Sequence, residues 1–216
     1  MSLSLIIIGT GGHAISATNV AISCGYKVLA YVDENKKGTF FFDVPVISLE
    51  VCYSLYKEHN YFVAIGDNIT REKIINTLKL DLPNTKFPCL IHRSSVIGIS
   101  TKIGNGTIIM PNVNIGPNSN IGIFCIINSS SSVDHDCNIK DFASLAPGVI
   151  TGGGVNIGFR TAISIGTTIK HKISVGDDTV IGAKSYVNKN IEKKIVAYGI
   201  PCKKVRTRKI GENYLS

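Results

Sequence analysis

The sequence predicts a small α/β domain with a short parallel sheet (Rossmann-like), followed by a parallel β-helix built from six-residue repeats. From Ile97 to Val187, every sixth residue is Ile, Val or Leu in fifteen of sixteen cases, and the exception, Thr151, is β-branched. The position four residues after each of these is Ser, Thr, Ala, Cys, Val or Ile throughout. Amphipathic helices need apolar spacings of three and four, and half-buried strands a spacing of two. A strict period of six is instead typical of the hexapeptide β-helix.

The repeat explains its own composition. The aliphatic residue points inward and stacks on its equivalents, and three hexads close one triangular coil, so the run predicts about five coils. A single coil cannot bury its interior, which is why the repeat must continue without interruption. We expect glycine at corners where the backbone needs unusual angles. The glycines concerned are Gly98, Gly104, Gly116, Gly122, Gly158, Gly176 and Gly182.

The N-terminal segment begins as a β-α-β unit. The apolar strand Leu5–Ile8 leads into Gly-Thr-Gly-Gly-His-Ala at 9–14, a helical pattern to Cys24, and a second strand, Lys27–Val32, that ends at Asp33. A glycine-rich turn before a helix lets backbone N–H groups approach a phosphate or another polar ligand group.

The following segments complete the domain. We expect a helix capped by Ser48, a third strand at Tyr61–Ile65, a helix over Thr70–Leu80 and a fourth strand at Phe87–Ile91. Ligands of parallel sheets bind at the carboxyl ends of the strands. One crevice is therefore predicted to contain Gly11, Gly12, His13, Asp33, Gly66, Asp67 and Asn68. The predicted domains are 1–92 and 93–216.

Composition and charge limit which binding partners and which cellular compartment are expected for the protein. The net charge is +8, and much of the basic excess lies in the tail, which fits either a solvated terminus or a phosphorylated small ligand. The sequence has no nucleic-acid-binding motif, so nucleic acid is not an expected partner. No apolar run reaches the roughly 18 residues of a membrane span. Six cysteines without paired spacing favour reduced thiols and a cytoplasmic protein.

One surface segment carries acid/base chemistry. His135 lies between Asp134 and Asp136, and a neighbouring carboxylate can fix the tautomer of an imidazole that acts as a general base. Asn128 lies seven residues earlier, so its contact with His135 is expected to cross between coils or subunits. The alternative is a solvated surface histidine.

Other histidines are weaker candidates. His171 follows His135 by thirty-six residues, so it is expected on the same edge of the β-helix two coils later, where it either lines the same groove or is simply exposed. Stacked histidines can bind zinc, but a third partner is missing, and no metal is predicted.

Several motifs together carry a family resemblance. They are Gly-x-Gly-Gly-His at 9–13, Ala-Ile-Gly-Asp-Asn at 64–68, Leu-Ile-His at 90–92, the hexad run, Asn-x6-His-Asp at 128–136 and Gly-Ile-Pro-Cys-Lys at 199–203. This combination covers essentially the whole chain. It resembles the sugar acetyltransferases of the sialic-acid O-acetyltransferase type, which include N-acetyltransferases for nucleotide-linked 4-amino-4,6-dideoxy sugars such as perosamine.

The resemblance implies a left-handed β-helix, a homotrimer with active sites between subunits, and a role in bacterial surface glycan synthesis. It implies that His135 is the general base, Asp136 its orienting partner and Asn128 a polar support. The nucleotide sugar would be bound by Gly11, Gly12, His13, Asp33 and Gly66.

Acetyl-CoA would lie along the β-helix groove. The residues implied to contact it are Ser144, Ser164, Gly182, Ala183, Pro201 and Lys203, with Lys204 and Arg206 near the adenosine phosphates. Two positions depart from the family pattern: Cys202 replaces an alanine, and Ser144 replaces a second histidine found in some relatives.

The expected reaction is direct N-acetylation of a sugar amine, with no acetyl-enzyme. Three alternatives stay open at this point. One is O-acetylation of sialic acid or another sugar hydroxyl, since His135 serves either nucleophile. A second is an oxidoreductase based on residues 9–14 and Asp33, against which the small size of the domain argues. The third is a scaffold without catalysis, against which the His–Asp pair argues.

Overall fold

The computed structural model describes residues 3–214. Its N-terminal part is a five-stranded sheet of order β3-β4-β2-β1-β5, in which only β3 runs antiparallel to its neighbour. The elements are β1 (Leu3–Ile8), α1 (Gly12–Ser23), β2 (Tyr26–Val32), β3 (Phe40–Phe41), β4 (Val44–Ile47), α2 (Leu49–Tyr56), β5 (Asn60–Val63) and α3 (Asn68–Asp81).

Capping side chains and apolar runs in the sequence explain where several of these elements lie. The Ser48 side chain accepts a hydrogen bond from Val51 N and begins α2, as predicted. Asp67 caps α3 through Thr70 N, so this helix begins two residues earlier than expected. Helices cover both faces of the parallel strands, and Leu5, Ile6 and Ile7 are all fully buried. This explains the continuous apolar run of β1.

The second part is a parallel β-helix with three flat faces. The first face contains β6 (Leu90–Ile91), β9 (Ile108–Ile109), β12 (Ile126–Ile127), β15 (Ser144–Leu145), β18 (Ala162–Ile163), β21 (Val180–Ile181), β23 (Ile195–Tyr198) and β24 (Lys203–Thr207). The second face contains β7 (Val96–Ile97), β10 (Asn114–Ile115), β13 (Ser132–Val133), β16 (Ile150–Thr151), β19 (Thr168–Ile169) and β22 (Tyr186–Val187). The third face contains β8 (Lys102–Ile103), β11 (Asn120–Ile121), β14 (Asn138–Ile139), β17 (Asn156–Ile157) and β20 (Ser174–Val175).

The predicted fourth strand is wrong in its placement. Leu90–Ile91 does not join the N-terminal sheet but pairs in parallel with Ile108–Ile109, as the first rung of the β-helix. A short apolar run is compatible with a strand of the N-terminal sheet and with a strand of the β-helix. Only the segment it packs against in the folded chain decides which sheet it joins. The division of the chain at residues 92 and 93 stays a prediction.

The corner glycines are present for a different reason than expected. The left-handed backbone angle occurs two residues after them, for example at Asn118 (φ 57) and Lys184 (φ 58). A Cβ on Gly104 would instead lie 2.6 Å from the backbone of the next coil, and Gly158 and Gly176 are equally crowded. These positions need glycine because the coils approach each other closely.

The α/β part docks on the β-helix through two shared cores. Ala17 and Ala21 of α1 pack in one buried cluster with Leu90 and Ile108 of the first face. On the other side, α3 packs on an aromatic corner of the β-helix that includes Phe124 and Phe142. The two parts therefore enclose the space between them.

Candidate active site

A cleft of about 430 Å³ lies between the α/β part and the β-helix. It brings together residues predicted separately for the sugar, the catalytic support and acetyl-CoA. They are Gly12, His13, Gly66, Asn128, Ser144, Ser164 and Ala183. The carboxyl ends of β1 and β5 open into the cleft from one side, and the first face supplies the other.

His13 presents a neutral imidazole to this cleft. Burial, together with the positive charge of Arg71, lowers the pKa of His13 to about 4. Its Nε2 atom is buried and has no hydrogen-bond partner among residues 3–214. An unsatisfied buried nitrogen is costly, so it marks a position where a ligand group would make a hydrogen bond.

Arg71 holds one wall of the cleft in place. Its fully buried guanidinium donates to Ile65 O and Gly66 O at 2.9 Å and to Asn68 Oδ1 at 2.7 Å. It also donates to Phe124 O and Phe142 O of the β-helix, both at 3.0 Å. One side chain thus joins the loop after β5 to two successive coils.

Tyr214 is a cleft residue that sequence reasoning missed. Its hydroxyl donates to Gly66 O at 3.2 Å and lies 3.2 Å from Ser144 Oγ. Burial raises the pKa of Tyr214, so the phenol stays neutral. Tyr214 is separated from Gly66 by 148 residues, so no local sequence motif could have predicted this contact.

His135 lies on a different edge of the β-helix. Its Nδ1 is 2.7 Å from Asp136 Oδ2, and its backbone N–H donates to Asp134 Oδ1 at 2.8 Å. The hydrogen bond to Asp136, with the negative charge of Asp134, raises the pKa of His135 above its ordinary value. The left-handed backbone of Asp136 (φ 57) turns its carboxylate toward the ring. This geometry fixes a tautomer with Nε2 free for a proton.

Asn128 and His135 are not brought together within one chain. Asn128 follows β12 at the corner between the first and second faces, and His135 follows β13 at the corner between the second and third. His171 does lie on the edge of His135, as predicted, with Gly152, Gly153 and Gly154 between them.

The remaining predicted site residues lie outside the cleft. Asp33 lines a separate pocket beside α2 and α3 and accepts a hydrogen bond from Thr10 Oγ1. Gly11 is the exposed N-cap of α1. Gly182 lies against Tyr198, while Pro201 and Lys203 are exposed at the start of β24.

The cysteines are poor nucleophiles here. All six are unpaired, and Cys137, which is closest in sequence to His135, is buried in the interior of the coil. Burial raises the pKa of the Cys137 thiol, which disfavours the reactive thiolate.

Comparison with known proteins identifies the family. Residues 4–78 match the model of the PglD N-terminal domain. A variant of perosamine N-acetyltransferase from Caulobacter crescentus, solved with CoA and GDP-perosamine, is 31% identical, with a TM-score of 0.88 over 94% of this chain and 96% of that one. The chain belongs to the sugar acetyltransferases of the sialic-acid O-acetyltransferase type.

Two further relatives agree with this family. The acetyltransferase domain of PglB from Neisseria gonorrhoeae, solved with acetyl coenzyme A, is 27% identical, with a TM-score of 0.88 over 95% of this chain and 100% of that one. UDP-N-acetylbacillosamine N-acetyltransferase of Bacillus subtilis (strain 168) is 28% identical over 112 residues, 50% of this chain. The aligned segments span 24% and 51% of the lengths of two curated relatives that match.

Family membership agrees with the architecture found here, an α/β domain on a left-handed β-helix. Within residues 3–214, no group of three or more His, Cys, Asp or Glu side chains is placed to hold a metal ion. No helix in the same range is long and apolar enough to cross a membrane.

Gly153 makes room for the His135 ring. A Cβ there would lie 2.5 Å from Nε2 of His135, and Gly153 does not have a positive φ, so the imidazole is the part that must move. We expect Gly153→Ala to lower kcat about 100-fold with little change in Tm, because displacement by about 1 Å can cost that much. Steady-state kinetics and thermal unfolding test this. Wild-type kcat in a folded variant would contradict it.

Proposed function

We propose that the chain is an acetyl-CoA-dependent N-acetyltransferase. Its acceptor is the amino group of a nucleotide-linked 4-amino-4,6-dideoxy sugar, and its product serves bacterial surface glycan synthesis. The observation that carries this proposal is the cleft in which Gly12, His13 and Gly66 of the α/β part face Ser144 and Ser164 of the β-helix. The relatives solved with CoA and GDP-perosamine or with acetyl coenzyme A support it.

The residues of the cleft suit the two substrates. Gly12 lies at the N-terminus of α1, where the helix dipole and free N–H groups favour a phosphate. The neutral His13 can bind a sugar hydroxyl or amino group through its Nε2 atom. Small side chains at Ser144, Ser164 and Ala183 leave space for a narrow pantetheine arm along the first face. The exposed Pro201, Lys203 and Gly182 would border its far end, and Asp33 the nucleoside.

Transfer is direct. His135 takes a proton from the attacking amine as the tetrahedral intermediate forms, Asp136 orients the imidazole, and a backbone N–H stabilises the oxyanion. The intermediate then collapses with cleavage of its carbon–sulfur bond, and the CoA sulfur takes the proton held by His135 and leaves as the free thiol. No covalent acetyl-enzyme is needed, in agreement with the buried state of Cys137.

The active form is a homotrimer in this proposal. Asn128 and His135 border opposite edges of the second face, so a cleft in one subunit can meet the His135 edge of a neighbour only across that face. The outward row of the second face includes the exposed side chains of Val96, Ile150 and Tyr186. Such apolar groups on a flat sheet favour contact with another copy. The six unpaired cysteines support a cytoplasmic location.

The pH dependence of kcat/KM follows from His135. A general base must be neutral, so activity is lost as pH falls through the pKa of His135, which Asp136 and Asp134 hold above its ordinary value. His171 and Lys172 also face this edge. We expect the acid limb of the Asp136→Asn profile to lie at lower pH than that of the wild type, because the substitution removes the largest cause of the raised pKa. An identical limb in both proteins would contradict the pairing.

A thiol-release assay tests the function itself. Purified protein and acetyl-CoA are mixed with a panel of nucleotide-linked 4-amino sugars, using UDP, dTDP, GDP and CMP, and with free sialic acid. Rapid CoA release with one amino sugar is the expected result. Release with sialic acid alone would move the protein to O-acetylation. If no acceptor in the panel causes CoA release, the proposed acceptor class is wrong.

A further inference from the structure

The backbone ladder of the β-helix is altered at one turn. From Gly98 to Gly182, the residue after each inward aliphatic side chain donates its N–H to a backbone carbonyl of the next coil in fourteen of fifteen cases. Gly116 N, for example, donates to Val133 O at 2.7 Å. The exception is Asp134, whose N–H donates at 3.2 Å to a side chain, the hydroxyl of Thr151.

Strand pairing is reduced at the same place. Between β13 and β16 only Ser132 and Ile150 are paired. The rungs on both sides keep two pairs, as in β10 with β13 and in β16 with β19. The altered rung is therefore the one that carries the Asp134-His135-Asp136 turn.

Thr151 is also the single inward position of the repeat that is not Ile, Val or Leu. It is buried at 3% exposure, and its hydroxyl contacts Asp134 N and, at 3.5 Å, Cys137 Sγ. A hydroxyl buried in an aliphatic core is costly unless it is hydrogen-bonded. Here the partner is the Asp134 N–H, which makes no hydrogen bond to a backbone carbonyl of the next coil. Among the sixteen aliphatic positions of the repeat, the exception therefore lies directly beneath the turn of His135.

We propose that Thr151 is a positioning residue: its hydroxyl takes the Asp134 N–H away from the regular ladder and so sets the orientation of the His135 turn. The next link is Asp134, whose Oδ1 accepts His135 N–H at 2.8 Å. The open space above Gly153 then receives the imidazole, and Gly154 N donates to His135 O at 2.9 Å. The coil beneath the turn is shaped at both positions for the histidine above it.

This inference rests on the proposed function of His135, but its structural step is independent of the acceptor. In Thr151→Val the inward position becomes aliphatic like its fifteen equivalents, and the ladder can close between Asp134 N–H and the carbonyl of residue 151. The turn then takes the regular form and His135 shifts. Thr151→Ser keeps the hydroxyl and loses only a methyl group.

The test compares these two variants with a matched control. Thr107 is fully buried and also accepts a backbone N–H, from Cys125 at 2.9 Å, but lies in a turn without acid/base residues. We expect Thr151→Val to lower kcat about tenfold or more, with an unchanged KM for acetyl-CoA and a Tm equal to or above wild type. Thr151→Ser should stay within about threefold of wild type. Thr107→Val should lower Tm and leave kcat unchanged.

A second readout does not depend on turnover. The imidazole resonances of His135 are identified among the five histidines by their loss in His135→Ala, and are then compared in the three threonine variants. The expected result is a changed His135 signal in Thr151→Val alone. An unchanged signal, or equal effects of valine and serine, would overturn the role of the hydroxyl. A changed signal together with a fully active His135→Ala would overturn the proposed mechanism and leave the positioning contact intact.

Discussion

Replacing His135 by alanine is expected to lower kcat about 10²–10⁴-fold, the usual contribution of general base catalysis. The side chain is exposed, and its only side-chain hydrogen bond is to Asp136 at 2.7 Å. Its removal leaves no buried group unsatisfied, so Tm should hardly change. Affinity for acetyl-CoA and for the nucleotide sugar should stay close to wild type, because the residues proposed to bind them lie elsewhere.

The measurement pairs steady-state kcat with calorimetric affinities for both substrates. His92→Ala is a suitable control. The Nδ1 atom of His92 is hydrogen-bonded to Ser94 Oγ at 2.8 Å, and the residue lies outside both the cleft and the His135 edge. It should retain wild-type kcat. Turnover of His135→Ala within a few-fold of wild type would remove His135 from the mechanism.

Replacing Arg71 by methionine is expected to have the largest effect on stability. Its guanidinium serves five acceptors, four of them backbone carbonyls, and is 2% exposed. Methionine has no donor, so these oxygens stay buried and unsatisfied. We expect a loss of about 3–5 kcal/mol in the free energy of unfolding, comparable to the breaking of a buried ion pair.

Urea unfolding of three variants separates charge from geometry. Arg71→Lys keeps the charge but places one ammonium where a planar fork served five acceptors, so an intermediate loss is expected. Lys79→Met is the control on the same helix. Lys79 is exposed and its ammonium lies 4.8 Å from the centroid of the Phe124 ring, so the substitution should change stability by less than about 1 kcal/mol. Equal midpoints for Arg71→Met and the control would contradict the role of Arg71 at the junction.

Much of the fold follows from short-range patterns. The six-residue period predicted the β-helix and the position of His171 on the edge of His135, and Ser48 was predicted to cap the helix that it does cap. These predictions succeed because the physical cause of each element lies within a few residues of it, or recurs at a constant interval. The fourth strand failed because Leu90–Ile91 carries no such local information.

The candidate site divides in the same way. His135 and its two carboxylates are adjacent in the chain, so their chemistry is readable from the sequence. The roles of Arg71 and Thr151 are not, because they depend on hydrogen bonds to distant backbone atoms, Phe124 O and Phe142 O for Arg71 and Asp134 N for Thr151. Backbone groups are the same in every sequence. Periodicity and neighbouring side chains therefore determine the coil and its histidine, and only the packing of distant segments decides what holds them in place.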